Sequence, residues 1–139
     1  LLFAIKYPYS GCPFKKIEVT DSLIAIGHFF HLYLYDYINF RIVAIIEVPG
    51  FFSDILYHDN YFYVAGIDSV IKIDGNGNIL WESTASIADD MILFTEIIGE
   101  SLIGRGCFDP EIPNWLDFSI NINTGALIDG GNIGNEAMH

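Results

Sequence analysis

What most constrains this chain is that it resembles itself. Laid over itself at a step of roughly forty residues, a spacing at which stacked β-repeats recur, three segments fall into line. They are Asp21-Ser22-Leu23-Ile24-Ala25-Ile26-Gly27, Asp59-Asn60-Tyr61-Phe62-Tyr63-Val64-Ala65-Gly66 and Gly99-Glu100-Ser101-Leu102-Ile103-Gly104-Arg105-Gly106. Each is a polar turn followed by an apolar strand that ends near Gly. The strand that follows reads Leu32 to Asp36, Val70 to Asp74 and Asp117 to Asn121. A further turn and strand begin at Asn39, Gly75 and Asn123, and an opening strand precedes each unit at Lys16–Thr20, Ser53–Tyr57 and Met91–Ile97. Apolar runs punctuated by Gly, Asn and Asp, with almost no helical spacing, make the chain all-β. About three four-stranded antiparallel repeats are predicted, in an open or barrel-like arrangement.

The turn chemistry recurs in place: Asp59-Asn60, Gly75 to Asn78 and Asn123 to Gly125 are residues that reach left-handed backbone conformations at low cost and close hairpins. Along Leu32-Tyr33-Leu34-Tyr35 the leucines face one side and the tyrosines the other, so both faces are apolar and two-sided cover is expected. Blade stacking supplies it, as would a sandwich or a filled barrel.

Ile73-Asp74-Gly75-Asn76-Gly77-Asn78-Ile79-Leu80-Trp81-Glu82 resembles the strand, turn, strand and terminal Trp of quinoprotein-type and WD40-like propeller repeats, and Ile120 to Ile128 resembles a copy without the Trp. The resemblance implies propeller blades; some members of that family bind a quinone and many are protein-binding scaffolds. No cofactor-contacting residue of the family is matched, so no cofactor is assigned. Closed propellers use about four to eight blades. Three leave two open faces, which invite a homodimer that completes a six-bladed ring, a compact barrel-like variant, or cover by a partner.

The 139 residues are 52% hydrophobic and 15% aromatic, yet 18 acids against 6 bases leave a net charge of −12. An acidic disordered tail lacks that aromatic content, so one folded all-β domain is expected over residues 1–139. The few bases are scattered, which argues against nucleic acid and anionic membranes as partners. The acidity suits a basic partner or serves solubility alone. Leu1 to Ile5 is too short to span a bilayer and reads as a strand. Cys12 and Cys107 read as two independent, partly buried thiols unless the fold joins them. A cytoplasmic location is the expectation, with an upstream segment left open because the chain starts without Met.

Several constellations invite chemistry. Asp74 to Asn78 imitates the opening of a calcium loop, but Ile79 and Ala85 stand where that loop needs Gly and a bidentate Glu, so a hairpin turn is expected. His28 and His31 flank Phe29-Phe30, which suggests a turn or bulge; with His58 and His139 they form no tetrahedral set, and no metal is assigned. Asp89, Asp90, Glu96, Asp54 and Asp59 read as solvated surface rather than an acid–base pair. No nucleophile elbow or phosphate loop occurs, so no catalytic residue is named.

The one irregular insertion, Phe108-Asp109-Pro110-Glu111-Ile112-Pro113-Asn114-Trp115, combines stiffness, charge and aromatics as recognition loops do. Phe108, Asp109, Glu111 and Trp115 are the first binding candidates, although Trp115 could equally plug a core. Phe51 and Phe52, after Pro49-Gly50, are the second, with one ring in and one out as the ordinary alternative. The functional expectation is a non-enzymatic protein-binding module, in concrete form a bacterial immunity- or antitoxin-like protein that neutralises a basic partner. Beside it stand a carbohydrate- or metabolite-binding or -hydrolysing protein and a structural half-propeller that homodimerises.

Overall fold

The computed structural model describes residues 6, 14–83, 86–108 and 114–130. Leu1 to Ile5, Cys12, Asp109 and Glu111 lie outside them, and with Cys12 goes the question of a Cys12–Cys107 pair. Twelve strands and no helix occur among the described residues. Blade 1 contains β1 (Lys15–Val19), β2 (Leu23–His28), β3 (His31–Asp36) and β4 (Arg41–Glu47). Blade 2 contains β5 (Asp54–His58), β6 (Tyr61–Ala65), β7 (Val70–Ile73) and β8 (Ile79–Glu82). Blade 3 contains β9 (Met91–Ile98), β10 (Ser101–Phe108), β11 (Asn114–Asn121) and β12 (Leu127–Gly130). Within each blade every strand pairs antiparallel with its sequence neighbour. The opening strands lie side by side, β1 by β5 and β5 by β9, so the blades fan outward from them. No closed barrel forms among the described residues; the arrangement is open.

Two cores fill the gaps of the fan. Leu32, Leu34 and Ala25 of blade 1 meet Ile55, Phe62, Val64, Ile71 and Ile73 of blade 2. The alternate residues of blade 2, Tyr63, Ala65 and Val70, turn the other way and meet Leu102, Phe118 and Ile120 of blade 3. Strand periodicity sends successive side chains to opposite faces, so β6 and β7 must be apolar throughout, and Phe62 to Ala65 are buried without a break. Two-sided cover thus belongs to blade 2. On β3 the expectation needs correcting: Leu32 and Leu34 are buried, while Tyr33 and Tyr35 are half-buried on a face that no described sheet covers.

The Gly that closes the second strand in each repeat has a structural cause. The chain must cross from the outer edge of one blade to the opening strand of the next, and it passes over the end of the second strand. A Cβ on Gly27 would run into the ring of Phe52 in the first crossing, and one on Gly106 into the Ile87 carbonyl in the second. Phe52 is accordingly a buried core residue, which removes it from the binding candidates; Phe51 beside it is half-buried.

At the centre of the fan sits Asp54, the first residue of β5 and 7% exposed. Its Oδ1 accepts from Lys16 Nζ of blade 1 at 3.0 Å and from the Ile55 amide at 2.8 Å. Its Oδ2 accepts from the Phe94 amide of blade 3 at 2.8 Å. Lys16 also donates to the Ile55 carbonyl at 3.1 Å. One carboxylate therefore joins all three opening strands, and the expectation of a solvated acid fails for this residue.

Asp54→Ala leaves the Phe94 and Ile55 amides without that acceptor, and is expected to cost about 3 kcal/mol in denaturant unfolding. Asp54→Asn, which keeps one acceptor oxygen, should cost less. A loss below about 0.5 kcal/mol for the alanine variant, the range of an ordinary surface change, would contradict this role. Gly27→Ala should cost about 1–3 kcal/mol by overpacking, and part of that loss should be recovered when Phe52→Leu is added.

Candidate interaction surface

The bonds at Asp54 set Lys16, Asp54 and Phe94 level, so the three opening strands start at one rim of the fan. The antiparallel register brings to that rim the β2–β3 turn, where His28 pairs with His31, and the end of the β10–β11 hairpin, where Cys107 pairs with Trp115. The two sequence candidates, one in the first crossing and one in blade 3, therefore share a rim. Phe51 stacks in tilted contact with Phe14, ring centres 5.6 Å apart. Phe108 and Trp115 are half-buried, and Trp115 joins neither core; the Arg105 guanidinium lies 5.4 Å above its ring. Cation and ring partly cover each other's surfaces while remaining at the solvent boundary.

A third aromatic element lies on the same rim, at a place the sequence marks only as a turn or bulge. The tip of the β2–β3 hairpin is Phe29-Phe30, where Asn or Gly is the usual solution. Phe29 adopts φ 56°, a left-handed conformation that costs a side chain of this kind about 1–2 kcal/mol. The crossing holds it there: the Phe52 amide donates to the Phe29 carbonyl at 2.5 Å and the Val48 amide to the Phe30 carbonyl at 2.9 Å. The two rings meet edge to face, 4.2 Å between centres, and Phe30 is 43% exposed. The available signal was the Phe pair itself at a position the repeat marks as a turn.

The opposite rim is built from side-chain-capped turns. Asp36 Oδ1 accepts from the Ile38 and Asn39 amides, both at 2.9 Å; Asp74 Oδ1 accepts from the Asn76 amide at 2.9 Å and the Asn78 amide at 3.0 Å; Asn121 Oδ1 accepts from the Asn123 amide at 2.8 Å. The same device thus closes the third hairpin of every blade. The oxygens that imitate a calcium loop at Asp74 are directed into their own turn. Among the described residues no three His, Cys, Asp or Glu side chains converge on a metal-sized site. His28 and His31 face each other across the hairpin as a single pair.

Blades 2 and 3 are pinned by two donors to one acceptor. Lys72 Nζ and Trp81 Nε1 both donate to the Ile122 carbonyl at 2.9 Å, with Lys72 lying 4.2 Å above the Tyr61 ring. Burial lowers the Lys72 pKa, against the pull of Asp59, and burial likewise raises Tyr63 to about 12. The Trp singled out in the sequence is therefore a blade-joining residue, packed on Tyr63 at 6.1 Å.

No protein-family model and no curated protein matches the chain. Solved structures do. BamB from Moraxella catarrhalis superposes with a TM-score of 0.57 at 15% identity, over 82% of this chain and 36% of its own. The Pan2 WD40 domain of Neurospora crassa superposes with a TM-score of 0.63 at 14% identity, over 85% of this chain and 37% of its own. The chain thus spans little more than a third of either structure. With three four-stranded sheets fanned from their opening strands, it is a β-propeller-like repeat protein.

The capped turns give the fold a pH dependence. Asp36 is held below the usual carboxylate range by the Asn39 side chain and then the Asn39 and Ile38 amides. At Asp74 burial pushes upward, but the bonds from Asn78, Asn76 and Gly77 prevail and the pKa is lowered. A folded pKa below the unfolded one gives stability that is present above the ordinary range and lost as pH falls through the depressed value. The urea midpoint should therefore fall on acidification below about pH 4, and the double substitution Asp36→Asn with Asp74→Asn should flatten that fall. An unchanged slope would remove these turns as its source.

Proposed function

We propose that the protein is a binding module for another protein, and that the partner docks on the rim carrying the Phe29-Phe30 turn, Phe51 and the Phe108–Trp115 hairpin end. The observation that carries this reading is Phe30, a large ring held outward on a strained turn by backbone bonds from the neighbouring crossing. A rigid aromatic presented at low entropic cost is what interface hot spots are made of. Asp109 and Glu111, between Phe108 and Trp115 in sequence, add to a net charge of −12, and opposite charge on a partner would speed encounter more than it would slow release. A basic partner follows, and a bacterial immunity- or antitoxin-like role is the concrete form of the proposal. The likeness to BamB and to a WD40 domain supports the scaffold on which such a rim is built.

The carbohydrate or metabolite reading draws less support. It needs two carboxylates at a ligand, one with a raised pKa. Asp54 is engaged with three amide and ammonium donors, and among the described residues the two carboxyls that shift, Asp36 and Asp74, shift downward.

Affinity capture from the native host with the wild-type chain should recover a defined protein, identified by mass spectrometry and reproduced with purified components. Phe30→Ser and Trp115→Ala should each weaken that binding by about tenfold or more, while Ile79→Ser, exposed on β8 of blade 2, should not. Asp109→Asn with Glu111→Gln should slow association and blunt its salt dependence, leaving dissociation nearly unchanged. Equal recovery by all variants would overturn the assignment of the rim.

A further inference from the structure

One residue pair in the β7–β8 turn carries a reaction that the fold both invites and restrains. Of the nine asparagines in the chain, Asn76 alone is followed by Gly. A backbone amide nitrogen reaches the side-chain carbonyl carbon of the asparagine before it only when its own residue is small, and Gly, with no Cβ, sets no barrier. Asn76 is exposed at the tip of its turn, on the rim opposite Phe30 and Trp115. Gly77 is fixed by the fold, since it takes φ 85° and a Cβ on it would stand 2.4 Å from that of Ala44 on β4. The hairpin thus requires the very neighbour that makes Asn76 labile.

The restraint comes from Asp74. The Gly77 amide, whose nitrogen is the attacking atom, donates to the Asp74 carbonyl at 3.1 Å. Asp74 Oδ1 accepts from the Asn76 amide at 2.9 Å and the Asn78 amide at 3.0 Å, and its Oδ2 from Asn78 Nδ2 at 3.0 Å. To approach the Asn76 carbonyl carbon, the Gly77 nitrogen has to leave its acceptor, and the turn then opens. Reaction waits on that local opening, and the side chain of Asp74 sets how rarely it occurs.

We infer that Asn76 is a site of spontaneous deamidation and that the Asp74 cap governs its rate. The Gly77 nitrogen gives its proton to solvent and bonds to Asn76 Cγ, the Cγ–Nδ2 bond breaks, and ammonia leaves. Water then opens the succinimide at either carbonyl, giving aspartate or isoaspartate, in which the backbone runs through Cβ and Cγ. Water enters and ammonia departs; nothing is oxidised or reduced. Asp74-Gly75 and Asp129-Gly130 share the small neighbour, but a carboxylate loses water only from its acid form, and its isomerisation changes no mass.

The product acts at a defined place. Isoaspartate lengthens the backbone by a methylene directly before Gly77, where the turn lies against Ala44, and Ala44 and Val43 pack on the core between blades 1 and 2. The modified turn parts from β4 and loosens that joint. The joint between blades 2 and 3 rests on Lys72, Trp81 and the Ile122 carbonyl, none of which the reaction touches.

The full chain kept in mildly alkaline buffer should release ammonia in step with the mass change of amide-to-acid exchange, and peptide mapping should place that change at Asn76. Asn76→Ser should abolish it there. Asp74→Ala, which removes three hydrogen bonds from the turn, should raise the rate by about tenfold or more; Asp74→Ser, which keeps one acceptor oxygen, should fall between. Circular dichroism under the assay conditions shows that each variant remains folded, and the wild-type chain in urea, with its turn open, should react at least as fast as Asp74→Ala. The isoaspartate fraction should unfold at lower urea than the fresh protein, whereas Asn76→Asp, which adds the charge without the methylene, should stay near wild type. Equal rates at Asn76 in the wild-type and Asp74→Ala chains would overturn the inference, as would modification spread evenly over the other asparagines or no reaction at Asn76 in either chain.

Discussion

A single carboxylate holds the fan together at its narrow end. The opening strands of the three blades run side by side without a shared ladder, and Asp54 supplies the acceptors that their level requires: an ammonium from blade 1, an amide from its own strand and an amide from blade 3. Everything apolar lies outside this point. The two cores can be flat and interdigitated because the pivot between blades is polar, directional and fixed in register, whereas a purely apolar pivot would let the blades slide. The rim that carries Phe30, Phe51 and Trp115 inherits its alignment from the same bonds.

Much of this was legible in the sequence because a repeat states each rule three times. Asp59-Asn60 both take left-handed φ as their residue types predict, and Gly77 and Gly125 do so in the turns marked for them. Each strand expected from the repeat is present. Legibility ends where a contact depends on another blade. Asp54 reads as one acid among 18, since nothing local says that the Phe94 amide, far along the chain, points at it. Phe52 looks like its neighbour Phe51, and only the chain's passage over Gly27 separates the buried ring from the half-buried one. The Phe29-Phe30 turn breaks local turn preference because it is held from outside, by Val48 and Phe52. A repeat period shows which residues are equivalent, and it is silent about which face of the first or last unit is covered.

The chain's acidity also gains a location. Opposed charges meet on blade 1 and the excess lies beyond it, so net charge is a poor description of any one surface here. The exposed Val19, Ile42 and Ile45 of blade 1, and Arg105 opposed to Asp117 across β10 and β11 of blade 3, make the two ends of the fan chemically distinct, although the blades share one plan. A repeat protein of three units thereby acquires polarity along its length, which a ring of identical blades does not have.

The pairing of every strand with its sequence neighbour has a consequence for how the molecule forms. All nine ladders among the described residues join strands adjacent in sequence, so each blade is assembled from local contacts that are entropically inexpensive and fast. The slow encounters are the few that span about forty residues, Lys16 and Phe94 with Asp54 above all. Blade 2 lies at both of them. Its two apolar faces need cover from both neighbours, so the chain gains little from completing that blade alone, and its assembly resembles the closing of a zipper from the middle unit outward.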